Sequence, residues 1–463
     1  MTNFLPENFL LHTQTARNLY KSYAKDLPII NYASIHNAKD IYENAHFENA
    51  TDLWLRTDRN KWRLMRSNGI SEYYITGKAS DKEKFLAFAE TIENAVGNVE
   101  YYWLHMELRK FFGIHETLTK ENALVLYEKI NAQLGPNGLR VRDIVKKLNV
   151  KLVGTQCVAN EDLHYHRLLK EEELDFSVVP IFHVNKLLEL DMNDLGQDLF
   201  FFTGKNIQDL YQYTTWIKRK MNYFHERSCR SLSLSLPYIY YQEATTDVEQ
   251  TFAKIVAFES ITAKEIRDLK NHILFEILDE ACKLDWVLQL YFGINQNGNS
   301  LMTKQLGKNM GFDTISLYVQ GVYYLFDTLR MRDCLPKTIV YNGDGTKNTF
   351  TNVTAAAFNE EHDGIRGKIQ QGPAWWFQNN LLGTQNQLKE YASQGILMNF
   401  VGMTSGARNF ISLIQHDYFR MVLCQLIADW LDNGLIIDDA AYLKQLFEKV
   451  CYKNAVEFFG FEL

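Results

Sequence analysis

Short apolar runs recur along the chain, each bounded by polar turns and followed by a longer stretch of helical periodicity. LPIINYASI, VKLVGTQCV, DFSVVPIFHV, CRSLSLSL, WVLQLYFGI, KTIVYN, GKIQQG and MNFVGM make eight such runs. Strands that are apolar on both faces belong inside a parallel sheet covered by helices. Eight of them separated by helices predict an α/β protein, a closed (β/α)8 TIM barrel, better than an open sheet. Between Asp81 and Asn149 the pattern turns wholly helical, with KFLAFAETIENAV, YYWLHMELRKFF and ENALVLYEKINAQL in succession and GPNG at 135–138 closing the last. The barrel is therefore expected over 1–80 and 150–463, with 81–149 a helical insertion subdomain after the first strand. A helical stretch from Asn206 to Arg227 reads as one of the barrel's own helices with an extension.

Composition narrows the function classes. A hydrophobic share of 46% with 23% charged residues is that of a globular protein with a sizeable core. The net charge of −7 offers no field that would gather phosphate backbones, so no nucleic-acid partner is expected. No run of 18 apolar residues could cross a bilayer, so no membrane role is expected either. Cys157, Cys229, Cys282, Cys334, Cys424 and Cys451 lie far apart without a CxxC pair, which indicates neither a zinc knuckle nor a disulfide framework. The opening MTNFLPENFLLHTQTARN does not read as a signal peptide, and a reduced, cytoplasmic setting is expected.

The motifs give a sharper reading. PIINYASIH, DRNKWRLMRSNGISE, GNVEYYWLHMELRKFFGI, LPKTIVY, GKIQ, AWWF and FVGM follow one another in fixed order from near the start almost to the end. In that order they resemble the uronate isomerase family, whose corresponding segments are PIIDYHxH, DHYKWRxMRxxGxxE and NPxYxWxxxELxxxFGI. The resemblance implies an amidohydrolase-like barrel and the isomerisation of D-glucuronate to D-fructuronate and of D-galacturonate to D-tagaturonate. It also implies a homo-oligomer and a divalent metal held by the HxH pair of the first strand and an aspartate after the eighth.

The matches are scaffold residues, and the seats of the chemistry differ. Ala33 and Ile35 stand where the HxH pair should be, and Gly406 where the aspartate should be, two residues before the retained Arg408. None of the three offers a lone pair to a cation. His36 sits one position past the second seat, and strand alternation points it out of the barrel. Arg59 and Asn60 replace the family's histidine and tyrosine between Asp58 and Lys61, and His183, Val184, Asn185 and Lys186 replace its RPDK. Tyr291 takes the place of a histidine and Gln296 that of an arginine. No metal and no other cofactor is expected.

The candidate ligand-binding residues are Arg408, His183, Arg59 and Tyr291. Arginine recognises a carboxylate through a planar two-pronged contact, so Arg408 is the first choice for a uronate-like sugar acid; its alternative is an ion pair within the barrel. His183, Tyr291, Cys157, Arg59 and Arg408 could together form a metal-free acid/base site, or each could serve packing. His164 and His166 lie two apart on a helix, where side chains do not share a face, and His166 reads as structural. Trp375 and Trp376 could stack a sugar, but on a strand one of a consecutive pair faces away, and packing is the expectation for both. The expected function is a non-catalytic relative that binds a sugar acid or partners an assembly; the alternative is a metal-independent isomerase or lyase with a rebuilt site.

Overall fold

A computed structural model describes residues 5–6, 8–189, 199, 202–236, 244–316, 321–360 and 364–463. Seven strands form one curled parallel sheet: β1 (Ile29–Ser34), β2 (Val150–Val158), β3 (Ser177–His183), β4 (Ser231–Leu236), β5 (Val287–Phe292), β8 (Thr338–Asn342) and β9 (Ile369–Gln371), hydrogen-bonded in that order. A short antiparallel ribbon, β6 (Ile294–Asn295) with β7 (Thr314–Ile315), stands apart from the sheet between β5 and β8. Every residue of β1 and of β8 is buried, as the continuous apolar runs require of strands packed on both sides. Among the described residues, no helix is long and apolar enough to cross a membrane.

The eighth expected strand, MNFVGM, does not form a regular backbone ladder. Side chains from its two neighbours close the barrel there instead. On the β9 side, Val401 N donates to Gln370 Oε1 at 2.8 Å. On the β1 side, the Tyr32 hydroxyl donates to Gly402 O at 2.9 Å and Ala33 N donates to Thr404 Oγ1, also at 2.9 Å. Asn31 is the centre of this seam: its Oδ1 accepts Ser405 N at 2.7 Å and lies 3.0 Å from His416 Nε2. Gly402 has a φ of +86° and faces the Val450 carbonyl, where a Cβ would clash, so the segment cannot keep strand geometry. Asn31→Leu removes a buried acceptor from a backbone N–H and an imidazole at once. It is expected to cost roughly 2–4 kcal/mol, read as a lower urea midpoint at unchanged slope.

Seven α-helices lie between β1 and β2: Ala38–Tyr42, Ala50–Trp54 and Arg59–Ser67, then the longer run Asp81–Asn94, Val99–Phe112, Ala123–Asn131 and Val141–Lys147, whose first two members are closed by clear caps. Ser80 and Glu83 cap Asp81–Asn94 reciprocally, and Gly113, with a φ of 64°, ends Val99–Phe112 in the left-handed region. Their apolar faces are continuous with those of the barrel's last helices. Trp54, Phe85 and Phe112 share one buried cluster with Ile411, Phe419 and Leu423. That packing brings the start of Val99–Phe112 against the helix Arg59–Ser67, at the rim where the strands end.

Candidate functional site

A cavity of about 1070 Å³ opens at the C-terminal ends of the strands, the face on which barrels of this kind place their chemistry. Ala33 lines it near the end of β1 and Ile35 just after that strand, Gln156 in β2, His183 in β3, Ser235 in β4, Tyr291 in β5, and Gly406 after the side-chain-stitched segment. All four candidate residues, Arg408, His183, Arg59 and Tyr291, line this one cavity.

Their local surroundings differ. Arg408 is solvent-accessible and makes no hydrogen bond or ion pair among the described residues. Burial lowers its pKa, the nearby Arg59 guanidinium lowers it further, and Asp58 opposes both. Arg59 is partly engaged: its Nη1 donates to Asn309 Oδ1 at 3.2 Å, lies 4.0 Å from Asp313 Oδ2, and its guanidinium sits 5.2 Å above the Trp376 ring. His183 Nδ1 lies 3.0 Å from Ser233 Oγ, which also accepts Gln156 Nε2 at 3.2 Å. Burial lowers the pKa of this imidazole, with Glu189 opposing the shift. The Tyr291 ring stacks on Tyr341 at 4.2 Å, and both hydroxyls donate to Gln289 Oε1 at 3.3 Å.

Two expectations from the sequence are corrected here, for the tryptophan pair and for Cys157. Trp375 and Trp376 both line the cavity, because the strand has ended at Gln371 and Trp376 takes a positive φ of 52°, so strand alternation does not apply to the pair. Cys157 faces away from the cavity into the packing between β2 and the helices, with Sγ 3.8 Å from His166 Nε2, and it is no part of an acid/base site. His166 itself is buried with Nε2 2.7 Å from Thr155 Oγ1, a structural partner as expected. His36 is buried, stacks on the Phe410 ring at 4.0 Å and does not line the cavity.

The residues present do not fit the metal that the family's HxH and aspartate would hold. Ala33, Ile35 and Gly406 supply no donor, and among the described residues no group of three His, Cys, Asp or Glu side chains is placed to hold a cation. The carboxylates in the cavity wall are occupied elsewhere. Lys61 Nζ is held by Asp58 at 2.6 Å and Glu100 at 2.8 Å, and Glu189 pairs with Lys186 at 2.9 Å. Burial works against the Lys61 ammonium, but Asp58, Glu100 and Glu107 together lift its pKa well above the ordinary lysine value. This buried cluster escaped the sequence reading. The available signal was Glu100 and Glu107 seven apart on one helix, a spacing that puts both on one face.

A parallel α/β barrel with a cationic, polar cavity at its strand ends defines the class: a TIM-like barrel with its candidate site at the C-terminal rim of the sheet. The family model described as glucuronate isomerase matches residues 1–459, and the chain belongs to that family. The uronate isomerase of Caldanaerobacter subterraneus subsp. tengcongensis is 37% identical over 469 residues, covering 99% of this chain and 100% of the relative. That of Bacillus subtilis is 36% identical, covering 100% and 99%. The crystal structure of uronate isomerase from Thermotoga maritima matches with a TM-score of 0.89 at 26% identity, covering 98% of this chain and 99% of that one. Glucuronate isomerase from Caulobacter crescentus gives 0.88 at 21% identity over 99% and 98% of the two chains, which speaks to the fold.

Proposed function

We propose that this member of the family binds a uronate-like sugar acid and does not run the uronate isomerisation for which its relatives are named. The observation that carries this reading is the pairing of two facts in one cavity. The three metal seats hold Ala33, Ile35 and Gly406, while Arg408, close to Arg59 and feeling Asp58 only at a distance, makes no ion pair among the described residues. Two guanidinium groups at one wall suit a carboxylate, since Arg–carboxylate contacts are charge-assisted and two-pronged. Tyr291 and Trp375, with ring centroids 5.0 Å apart, provide apolar area against a sugar ring, and the His183–Ser233–Gln156 set provides polar partners for hydroxyls.

Isomerisation needs a base over the carbon acid and a group that stabilises the developing enediolate oxygen. The family's histidine and tyrosine at positions 59 and 60 are Arg59 and Asn60 here, and the Asp58 and Glu100 carboxylates are committed to Lys61.

Incubation with D-glucuronate and D-galacturonate is therefore expected to yield no ketose. The same acids should raise the melting temperature, a ligand at ~100 times its Kd adding about 2.7 kcal/mol. Arg408→Ala should weaken binding by about tenfold or more, the worth of a charged hydrogen bond. Ketose formed at an ordinary enzymatic rate, roughly 1 to 10³ per second, would overturn the reading. If that turnover survived a chelator, the cavity would instead be a metal-independent isomerase or lyase.

A further inference from the structure

The wall opposite the strand ends carries charges that the sugar-acid site leaves unused. Lys61 is 4% exposed, Glu100 6% and Glu107 2%. Lys61 Nζ contacts Asp58 and Glu100 at 2.6 and 2.8 Å, and Glu107 Oε2 accepts the Trp54 indole N–H at 2.7 Å behind them. Three carboxylates thus share one lysine in a site shut off from water on one side and opening to the cavity at Asp58, Lys61 and Glu100 on the other. Asp58 also accepts the N–H groups of Asn60 and Lys61 at the start of the helix that carries Arg59.

The charged neighbours can be named element by element. From Arg59–Ser67 and its cap come Asp58, Lys61 and Arg59; from Val99–Phe112 come Glu100 and Glu107; from the segment after position 404 comes Arg408, which feels Asp58. The helix ending at Trp54 contributes an N–H, and the helix Gln415–Asp432 meets this region at Tyr418, against Trp103. A fully ionised set of three carboxylates and one ammonium is two charges short of neutral in a buried place. Such a set is stabilised by holding a proton.

Resting on the sugar-acid reading above, we infer that the Asp58–Lys61–Glu100–Glu107 cluster is a proton store, and that a carboxylate ligand at Arg59 and Arg408 binds together with a proton taken up there. An anion arriving beside Asp58 raises the cost of every negative charge in the cluster, so binding draws a proton in. By reciprocity, acidification tightens binding. Burial as the main cause pushes Glu107 up to about 7 and raises Glu100, which sets the working range near neutrality.

The test is calorimetric binding of D-glucuronate at pH 6 and pH 8, each in two buffers of different ionisation enthalpy, together with potentiometric titration of the ligand-free protein. The wild type is expected to bind about 5-fold or more tightly at pH 6 and to take up a proton on binding. The double variant Glu100→Gln, Glu107→Gln should show the same affinity at both pH values, no uptake on binding, and a proton step missing from the ligand-free titration. Binding by the wild type without proton uptake would overturn the inference, as would uptake that survives in the double variant. A ligand-free proton step without any D-glucuronate binding would sink the sugar-acid reading and the coupling with it, while upholding the store. Absence of that step in the wild type would sink the store alone.

Discussion

The triple substitution Ala33→His, Ile35→His, Gly406→Asp is expected to give the chain one bound divalent cation, at micromolar affinity or tighter, where the unmodified protein binds none at comparable concentration. All three positions line the same cavity. The backbone at 406 admits a side chain, because a Cβ there meets no atom within 4 Å and the residue does not adopt the left-handed conformation. Three donors with an open fourth position are the usual complement of a cation site that takes a ligand, and a micromolar Kd corresponds to about 8 kcal/mol. Titration calorimetry with zinc and manganese measures the outcome. The seats are misassigned if the triple variant folds and binds no more metal than the parent. Isomerisation is not expected to return with the cation, since Arg59 and Asn60 still occupy the positions of the family's histidine and tyrosine.

Acid should unfold this protein early. His36, His105 and His166 are each lowered to about 4 and His416 to about 3, in every case with burial as the main cause. His105 shows why protonation is resisted: Nδ1 faces the Tyr101 carbonyl at 2.6 Å while Nε2 accepts the Leu118 N–H at 2.9 Å, so a second ring proton has nowhere to go. A histidine whose pKa is depressed in the fold binds more protons when unfolded. Stability is therefore intact above the ordinary value near 6.5 and is lost as pH falls from there towards 4. At pH 5 each ring costs about 2 kcal/mol. Glu107 has the opposite sign: raised to about 7, it favours the folded state as pH falls and offsets about one of the four histidines. The net expectation is a loss of roughly 5 kcal/mol between pH 7 and pH 5, a large part of the 5–15 kcal/mol that holds an ordinary domain folded. Urea denaturation at the two pH values measures it, and an unchanged midpoint would mean that these rings are already charged or accessible in the native state.

Most strands were legible because parallel strands between helix layers are apolar on both faces, a pattern that β1, β2, β3, β5 and β8 carry, whereas β4 (SLSLSL) alternates and β9 (IQQ) is mostly polar. MNFVGM carried that apolar pattern too and still failed to form a ladder. Its hydrogen bonds go to the side chains of Gln370, Tyr32 and Asn454, and the close approach of Gly402 to the Val450 carbonyl is a contact between distant parts of the chain that no local pattern announces. The cavity's lining was legible at Arg408, Arg59, His183 and Tyr291 through the order of the motifs. Trp376 was misread because a backbone turn, and not strand alternation, sets its direction. The Lys61 cluster joins two helices about forty residues apart, and the pairing of Glu100 with Lys61 exists only after those helices meet.

A ladder of main-chain hydrogen bonds couples every residue of a strand to its neighbour's register, so altering one position disturbs the whole edge. Here the fastening falls to two separate groups, Gln370 on one side and the linked Asn31–Thr404 pair on the other, so the residues running on to Gly406 and Arg408, which are not among the fasteners, can be traded while the cylinder stays closed. The last turn of this barrel is consequently the place where lineages can part company in chemistry while keeping a common shape.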